Sequence, residues 1–190
     1  KLWAELEDGR RIEGESQIGH ATSPIVRLGC TPDRPPALPK ALEAIASADL
    51  IVLGPGSLYT SLLPNLLVPE LVNAISRSKA PRLYICNLMT QPGETDGLDV
   101  EGHSLGVQQR LFGCVLAQEQ LEDSPLVAHY RQRGAEPVTC DVRRLRGQGY
   151  DVMTAPLQGA RPSATLRHDP RSVALAVMRF YKRHRRDRVQ

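Results

Sequence analysis

Aromatic side chains are scarce: the 190 residues include two phenylalanines, one tryptophan and five tyrosines. A surface that binds single-stranded nucleic acid by stacking bases on rings is hard to build from so few. Cysteine occurs at positions 30, 86, 114 and 140, never as a CxxC pair and never with histidine in metal-ligand spacing. Cys30, Cys86, Cys114 and Cys140 therefore read as reduced core or near-core thiols, with no disulfide framework and no metal site. Long hydrophobic runs are missing too. No stretch approaches the roughly 18 apolar residues of a membrane span, and the opening KLWAELEDGR alternates charged and apolar residues, unlike a signal peptide. A soluble, cytoplasmic protein is expected. Nor does one sign of charge prevail: 24 basic residues stand against 21 acidic ones, for a formal net charge of +3. Nucleic acid is not an expected partner on that balance. Basic residues do gather at Arg143, Arg144 and Arg146 and in the tail from Lys182 to Arg188. Cations at a helix end complement its dipole, which explains such a tail without an anionic partner.

What is present is enough apolar sequence, 41% of the chain, to bury a core without disulfides or metal. Residues 1–190 read as a single α/β domain. Leu2 to Glu15 alternate apolar and polar about Asp8-Gly9, the signature of a two-stranded hairpin. Pro24 to Leu28 is a further strand, and the proline-rich CTPDRPPALP leads to a helix with Pro39 in its first turn. Leu50 to Leu53 is an unalternating aliphatic run, which predicts a strand covered on both faces in the middle of a parallel sheet. Pro64 and Pro69 divide the next apolar stretch into a helical turn and a helix that buries Leu71, Val72 and Ile75. Strands follow at 83–88, 114–117, 138–141 and 150–155. Helices are expected at 100–112, 125–133 and from Pro170, the last capped by Asp169. Strands alternating with helices in units of about 30 residues predict a Rossmann-like, mainly parallel sheet with helices on both faces, preceded by the hairpin.

Two loops carry the chemistry. The first, GPGSLYTS, leaves the aliphatic strand: Gly54 and Gly56 permit a sharp turn and close approach to the main chain, and Ser57, Thr60 and Ser61 supply hydroxyls and amides near a helix start. That chemistry suits phosphate or sugar, although a plain strand-to-helix turn capped by Ser57 fits the same residues. The second, MTQPGETDG, follows Asn87. Glu94 and Asp96 are its carboxylates, with Thr90, Gln91 and Thr95 beside them. They suit a divalent cation, sugar hydroxyls or acid and base work, and equally a polar loop that satisfies its own turns. In open α/β sheets ligands bind beyond the carboxyl ends of the strands, and both loops leave their strands there. Ser57 has no neighbouring histidine, His103 falls within a helix, and His168 precedes a helix cap and reads as structural. No nucleophile and base pair emerges.

ADLIVLGPGSLYTSLLPNLLVPEL followed by LYICNLMTQPGETDG resembles the YvcK-like gluconeogenesis factors, a family related to 2-phospho-L-lactate transferase (CofD). The hairpin AELEDGRRIEGES and the segment RHDPRSVAL extend the resemblance over essentially the whole chain; Val115-Leu116-Ala117-Gln118 departs from the paired asparagines usual at that strand end. The resemblance implies a bacterial cytoplasmic protein that binds a nucleotide sugar such as UDP-N-acetylglucosamine, linked to cell-envelope growth and carbon metabolism. It implies ligand contacts at Gly54, Pro55, Gly56, Ser57, Thr60, Ser61 and Asn65, and at Asn87, Met89, Thr90, Gln91, Gly93, Glu94, Thr95 and Asp96. No catalytic residue and no metal ligand is assigned, and a homo-oligomer is left open. The alternative is a transferase moving a phospholactyl group from a guanylated donor to a deazaflavin, the only reading that brings in Mg²⁺. No GGGTG-like sequence occurs in the chain. The expectation is therefore the C-terminal part of a longer family chain without its glycine-rich phosphate loop.

Overall fold

The computed structural model describes residues 1–108, 111–121, 123–158 and 165–186. Strands β1 (Leu2–Leu6) and β2 (Arg11–Glu13) form the expected hairpin, with Ala4 opposite Ile12. A short helix α1 (Glu15–Ile18) follows, then β3 (Ile25–Cys30), which pairs antiparallel with β1 on its other side. These strands make their own three-stranded sheet, in the order β2-β1-β3, around Ala4, Leu6, Ile18 and Ile25.

After α2 (Pro39–Ala46) the chain enters a second sheet, four-stranded and parallel, in the order β4-β5-β6-β7. Its strands are β4 (Ile51–Leu53), β5 (Arg82–Ile85), β6 (Cys114–Gln118) and β7 (Asp151–Ala155). Between β4 and β5 run a π-helical turn (Leu58–Leu62), α3 (Leu63–Leu66) and α4 (Pro69–Arg77). Helix α5 (Val100–Val107) joins β5 to β6, α6 (Pro125–Arg131) and α7 (Val142–Gly147) join β6 to β7, and α8 (Pro170–Arg186) comes last.

Side-chain alternation along the strands divides the core in two. Tyr84, Val115 and Val152 face Val72 of α4, Val107 of α5 and Leu145 of α7. Leu83, Ile85, Cys114 and Leu116 face Val127 of α6 with Ala176 and Phe180 of α8. Helices thus cover both faces of the parallel sheet, as the alternation of elements predicts.

Three expectations are corrected. First, β4 lies at the edge of its sheet and Val52 is 38% exposed, so it is not a central strand. A short aliphatic run carries no period from which edge and centre could be told apart. Second, residues 138–141 form no strand. A bridge pairs Met89 with Pro137, whose ring nitrogen has no hydrogen to extend a ladder, and the Asp141 side chain accepts from Arg144 N at 3.0 Å to start α7. Third, α5 stops at Val107, because Gln108 takes a positive φ of 66°.

Two of the three arginines of α7, Arg144 and Arg146, are engaged within the fold. Arg144 pairs with Glu101, and its Nη1 lies 3.7 Å from an Asp99 oxygen; Arg146 Nη2 donates to the Val152 carbonyl at 3.2 Å. The end of the basic tail, residues 187–190, lies outside the described residues. No described helix is long and apolar enough to cross a membrane.

Candidate functional site

The parallel strands all end on one side of the sheet, where the loops after β4 and β5 meet. At Gly54, φ is 83°, and a Cβ there would lie 2.8 Å from the Ile85 carbonyl oxygen, so the turn out of β4 admits only glycine. Ser57 then begins the π-helical turn, its Oγ accepting from Thr60 N at 3.4 Å. The strand-to-helix turn capped by Ser57 is present. Ser57 caps the helix and also lines a cavity.

That cavity, of about 670 Å³, is bounded by Pro55, Gly56 and Ser57 from the first loop and by Asn87, Leu88, Met89, Thr90 and Gln91 from the second. Tyr130 from the end of α6 and Leu166, Arg167 and His168 ahead of α8 complete it. Among the described lining residues Arg167 contributes a cation and none contributes a carboxylate; the Glu94 carboxylate lies behind Ser57. His168 adds no charge at neutral pH. Its Nε2 lies 3.1 Å from the Cys86 carbonyl oxygen, which can only accept, so that nitrogen carries the proton; burial then holds the imidazole below the usual histidine range. Tyr130 is fixed in place by accepting Leu166 N at its hydroxyl, 3.3 Å away.

The other residues that the resemblance implicates do not line the cavity. Glu94 is 7% exposed and lies beneath the first loop, accepting from Ser57 Oγ at 2.6 Å and from the Tyr59 amide. Burial pushes its pKa up despite those two hydrogen bonds. Thr95 is fully buried and accepts from Gln91 N at 2.8 Å, while Asp96 Oδ2 accepts from Gly93 N at 2.6 Å across an exposed turn. Asn65 Nδ2 donates to the Ser61 carbonyl at 2.8 Å. Gly54, Thr60, Ser61 and Gly93 shape the loops around the cavity without bounding it. No group of three or more metal-ligating side chains occurs among the described residues.

Tyr130, Leu166, Arg167 and His168 line the cavity but are not among the residues to which the sequence points. They lie far from the glycine loops along the chain, and nothing local to them signals a ligand. The signal that reaches them is the family likeness of RHDPRSVAL, which includes Arg167 and His168.

Residues 1–158 match a family model described as 2-phospho-L-lactate transferase CofD. A protein of Nostoc sp., provisionally named a gluconeogenesis factor, is 44% identical over 95% of this chain and 41% of its own length. The gluconeogenesis factor of Bacillus subtilis is 38% identical over 95% of this chain and 58% of its own length. A crystal structure of a UPF0052 family protein from Bacillus halodurans superposes with a TM-score of 0.85 at 39% identity, covering 93% of this chain and 58% of that one. The chain thus spans between 41% and 58% of the length of these relatives.

Proposed function

The chain belongs to the CofD family, on its gluconeogenesis-factor side, and from that premise we propose that it binds a nucleotide sugar in the cavity between the two glycine loops. The carrying observation is the charge of the lining, Arg167 with no carboxylate among the described lining residues, at the carboxyl ends of β4 and β5. An arginine fork suits a phosphate or pyrophosphate group. The amides of Asn87 and Gln91 and the hydroxyls of Ser57 and Thr90 suit sugar or base edges, and the Tyr130 ring offers an apolar face for either. Glu94 supports the site from below by holding Ser57 and Tyr59, and contacts no ligand itself. The protein acts as a cytoplasmic binding and regulatory component linking sugar-nucleotide supply to cell-envelope growth and carbon metabolism, the role for which the relatives' name and the resemblance provide the motive.

Calorimetric titration with UDP-N-acetylglucosamine, UDP and N-acetylglucosamine tests this. Saturable binding of the two phosphate-bearing ligands, weakened in Arg167→Ala, is expected. Absence of binding by both overturns the reading. A second reading, phospholactyl transfer, rests on the description of the matching family model. It requires product when the protein is incubated with a guanylated lactate donor, a deazaflavin alcohol and Mg²⁺, and product formation would replace the binding role with an enzymatic one.

A further inference from the structure

A second cavity, of about 720 Å³, opens beyond the carboxyl ends of β6 and β7, between Gln118 and Thr154. We propose that it is a second ligand site, for an uncharged, hydroxyl-rich small molecule of the sugar or sugar-alcohol class, distinct from the Arg167 cavity.

The wall between the two is a built feature. Thr90 N donates to the Glu136 carbonyl at 2.7 Å, Glu136 N donates to Thr90 Oγ1 at 2.8 Å, and Val138 N donates to the Leu88 carbonyl at 3.0 Å. One side of this ladder contributes Leu88 to Thr90 to the first cavity, and the other contributes Pro137 and Val138 to the second.

Charge separates them further. Among the described residues, the second cavity is bordered by the carboxylates of Glu119 and Asp123 and by one cation, Arg131. That cation is already engaged: Nη1 donates to Asp123 at 2.7 Å and Nε to Glu136 at 3.1 Å. A phosphate entering there would meet excess negative charge and a guanidinium whose partners are in place, the reverse of the Arg167 cavity.

Beside the Glu119 carboxylate, which can accept from ligand hydroxyls, the groups that remain for recognition are neutral and polar. Gln118 Oε1 accepts from Gln158 N at 3.0 Å, which orients the amide and leaves its NH₂ as a donor; the hydroxyls of Thr139 and Thr154 both donate and accept. Val138 and Val142 supply apolar wall against which the C–H face of a sugar ring packs. The volume falls within the roughly 300 to 1,000 Å³ of small-molecule pockets.

The test is an amide NMR titration of the isotope-labelled protein with glucose, N-acetylglucosamine and sorbitol, and with inorganic phosphate as the anionic control. At least one uncharged probe is expected to give saturable shifts at Gln118, Thr139 and Thr154, while phosphate leaves them unmoved. Thr139→Val should weaken that probe about three- to tenfold, the worth of one hydrogen bond. Thr154→Trp should abolish its shifts by placing an indole beside Gln118 and obstructing that part of the cavity, and should leave UDP-induced shifts at Gly56, Thr90 and His168 unchanged. No saturable shift at Gln118, Thr139 or Thr154 with any uncharged probe, or saturation of those residues by phosphate, overturns the proposal. If Thr154→Trp does not fold, the Thr139→Val titration decides. The UDP shifts report on the first cavity separately, so failure of one site is not mistaken for failure of the other.

Discussion

Ser57 Oγ donates to Glu94 Oε2 across 2.6 Å, tying the loop after β4 to the loop after β5 over 37 residues of sequence. The carboxylate that the sequence offers as a ligand contact anchors Ser57 and the helix start that Ser57 caps. Removing that hydrogen bond leaves a largely buried carboxylate with the Tyr59 amide as its remaining named donor. Ser57→Ala is therefore expected to lower stability by about 1 to 3 kcal/mol. Urea unfolding of Ser57→Ala, Glu94→Gln and the double variant checks this: the two effects should be strongly non-additive, and simple additivity would show that the pair is not coupled.

Arg167 and Asp96 make opposite predictions for binding. Arg167 brings a cation to the cavity lining, and Arg167→Ala should cost about 1.5 to 3 kcal/mol in affinity for UDP-N-acetylglucosamine. Asp96 accepts Gly93 N in a turn outside that lining, and asparagine keeps an acceptor oxygen. Asp96→Asn should change affinity by less than about 0.5 kcal/mol, as is usual at surface positions. Calorimetry on the two variants would contradict the assignment if their order were reversed.

Two loop glycines divide in the same way. At Gly93, φ is 82° and a Cβ would collide with the Ala21 carbonyl oxygen, which is backbone and cannot swing aside. Gly93→Ala should destabilise by more than about 2 kcal/mol. Gly56 lines the cavity at an ordinary φ, and its Cβ would meet only Ser61, at 3.0 Å from Cβ and 3.6 Å from Oγ, a contact that asks Ser61 to give by a few tenths of an ångström. Gly56→Val should keep a melting temperature near wild type and lose ligand binding. Thermal melts paired with titrations separate the two outcomes.

Stability should also fall on mild acidification. Burial holds His103 and His168 below the usual histidine range, so the unfolded chain binds protons more readily than the folded one. Their contribution is intact above the unfolded value of about 6.5 and is lost as pH falls through it toward the folded values. Glu94 works in the opposite sense: its raised pKa favours the folded state at low pH, and that contribution is lost as pH rises from about 4.5 through its folded value. Urea midpoints should drop between about pH 7.5 and pH 5.5. The slope should be shallower in His103→Met, and an unchanged slope would remove His103 from the account.

The sequence by itself determined the family and most of the elements, residues 138–141 and helices α1 and α7 apart. Alternation about Asp8-Gly9 is sufficient for a hairpin, proline spacing divides α3 from α4, and Asp99 and Asp169 cap helices with side chains that accept Gly102 N at 2.9 Å and Ser172 N at 2.7 Å. These are effects between residues a few positions apart, and local sequence encodes them. Only the tertiary structure decided that β4 is an edge strand, that Glu94 points at Ser57, and that Arg167 and Tyr130 close the cavity opened by Gly56. Each depends on segments brought together from tens of residues apart, where the geometry is fixed by how the sheet and its helices pack. A carboxylate in a glycine loop has the same local pattern whether it faces a ligand or a neighbouring hydroxyl, and packing alone chooses between them.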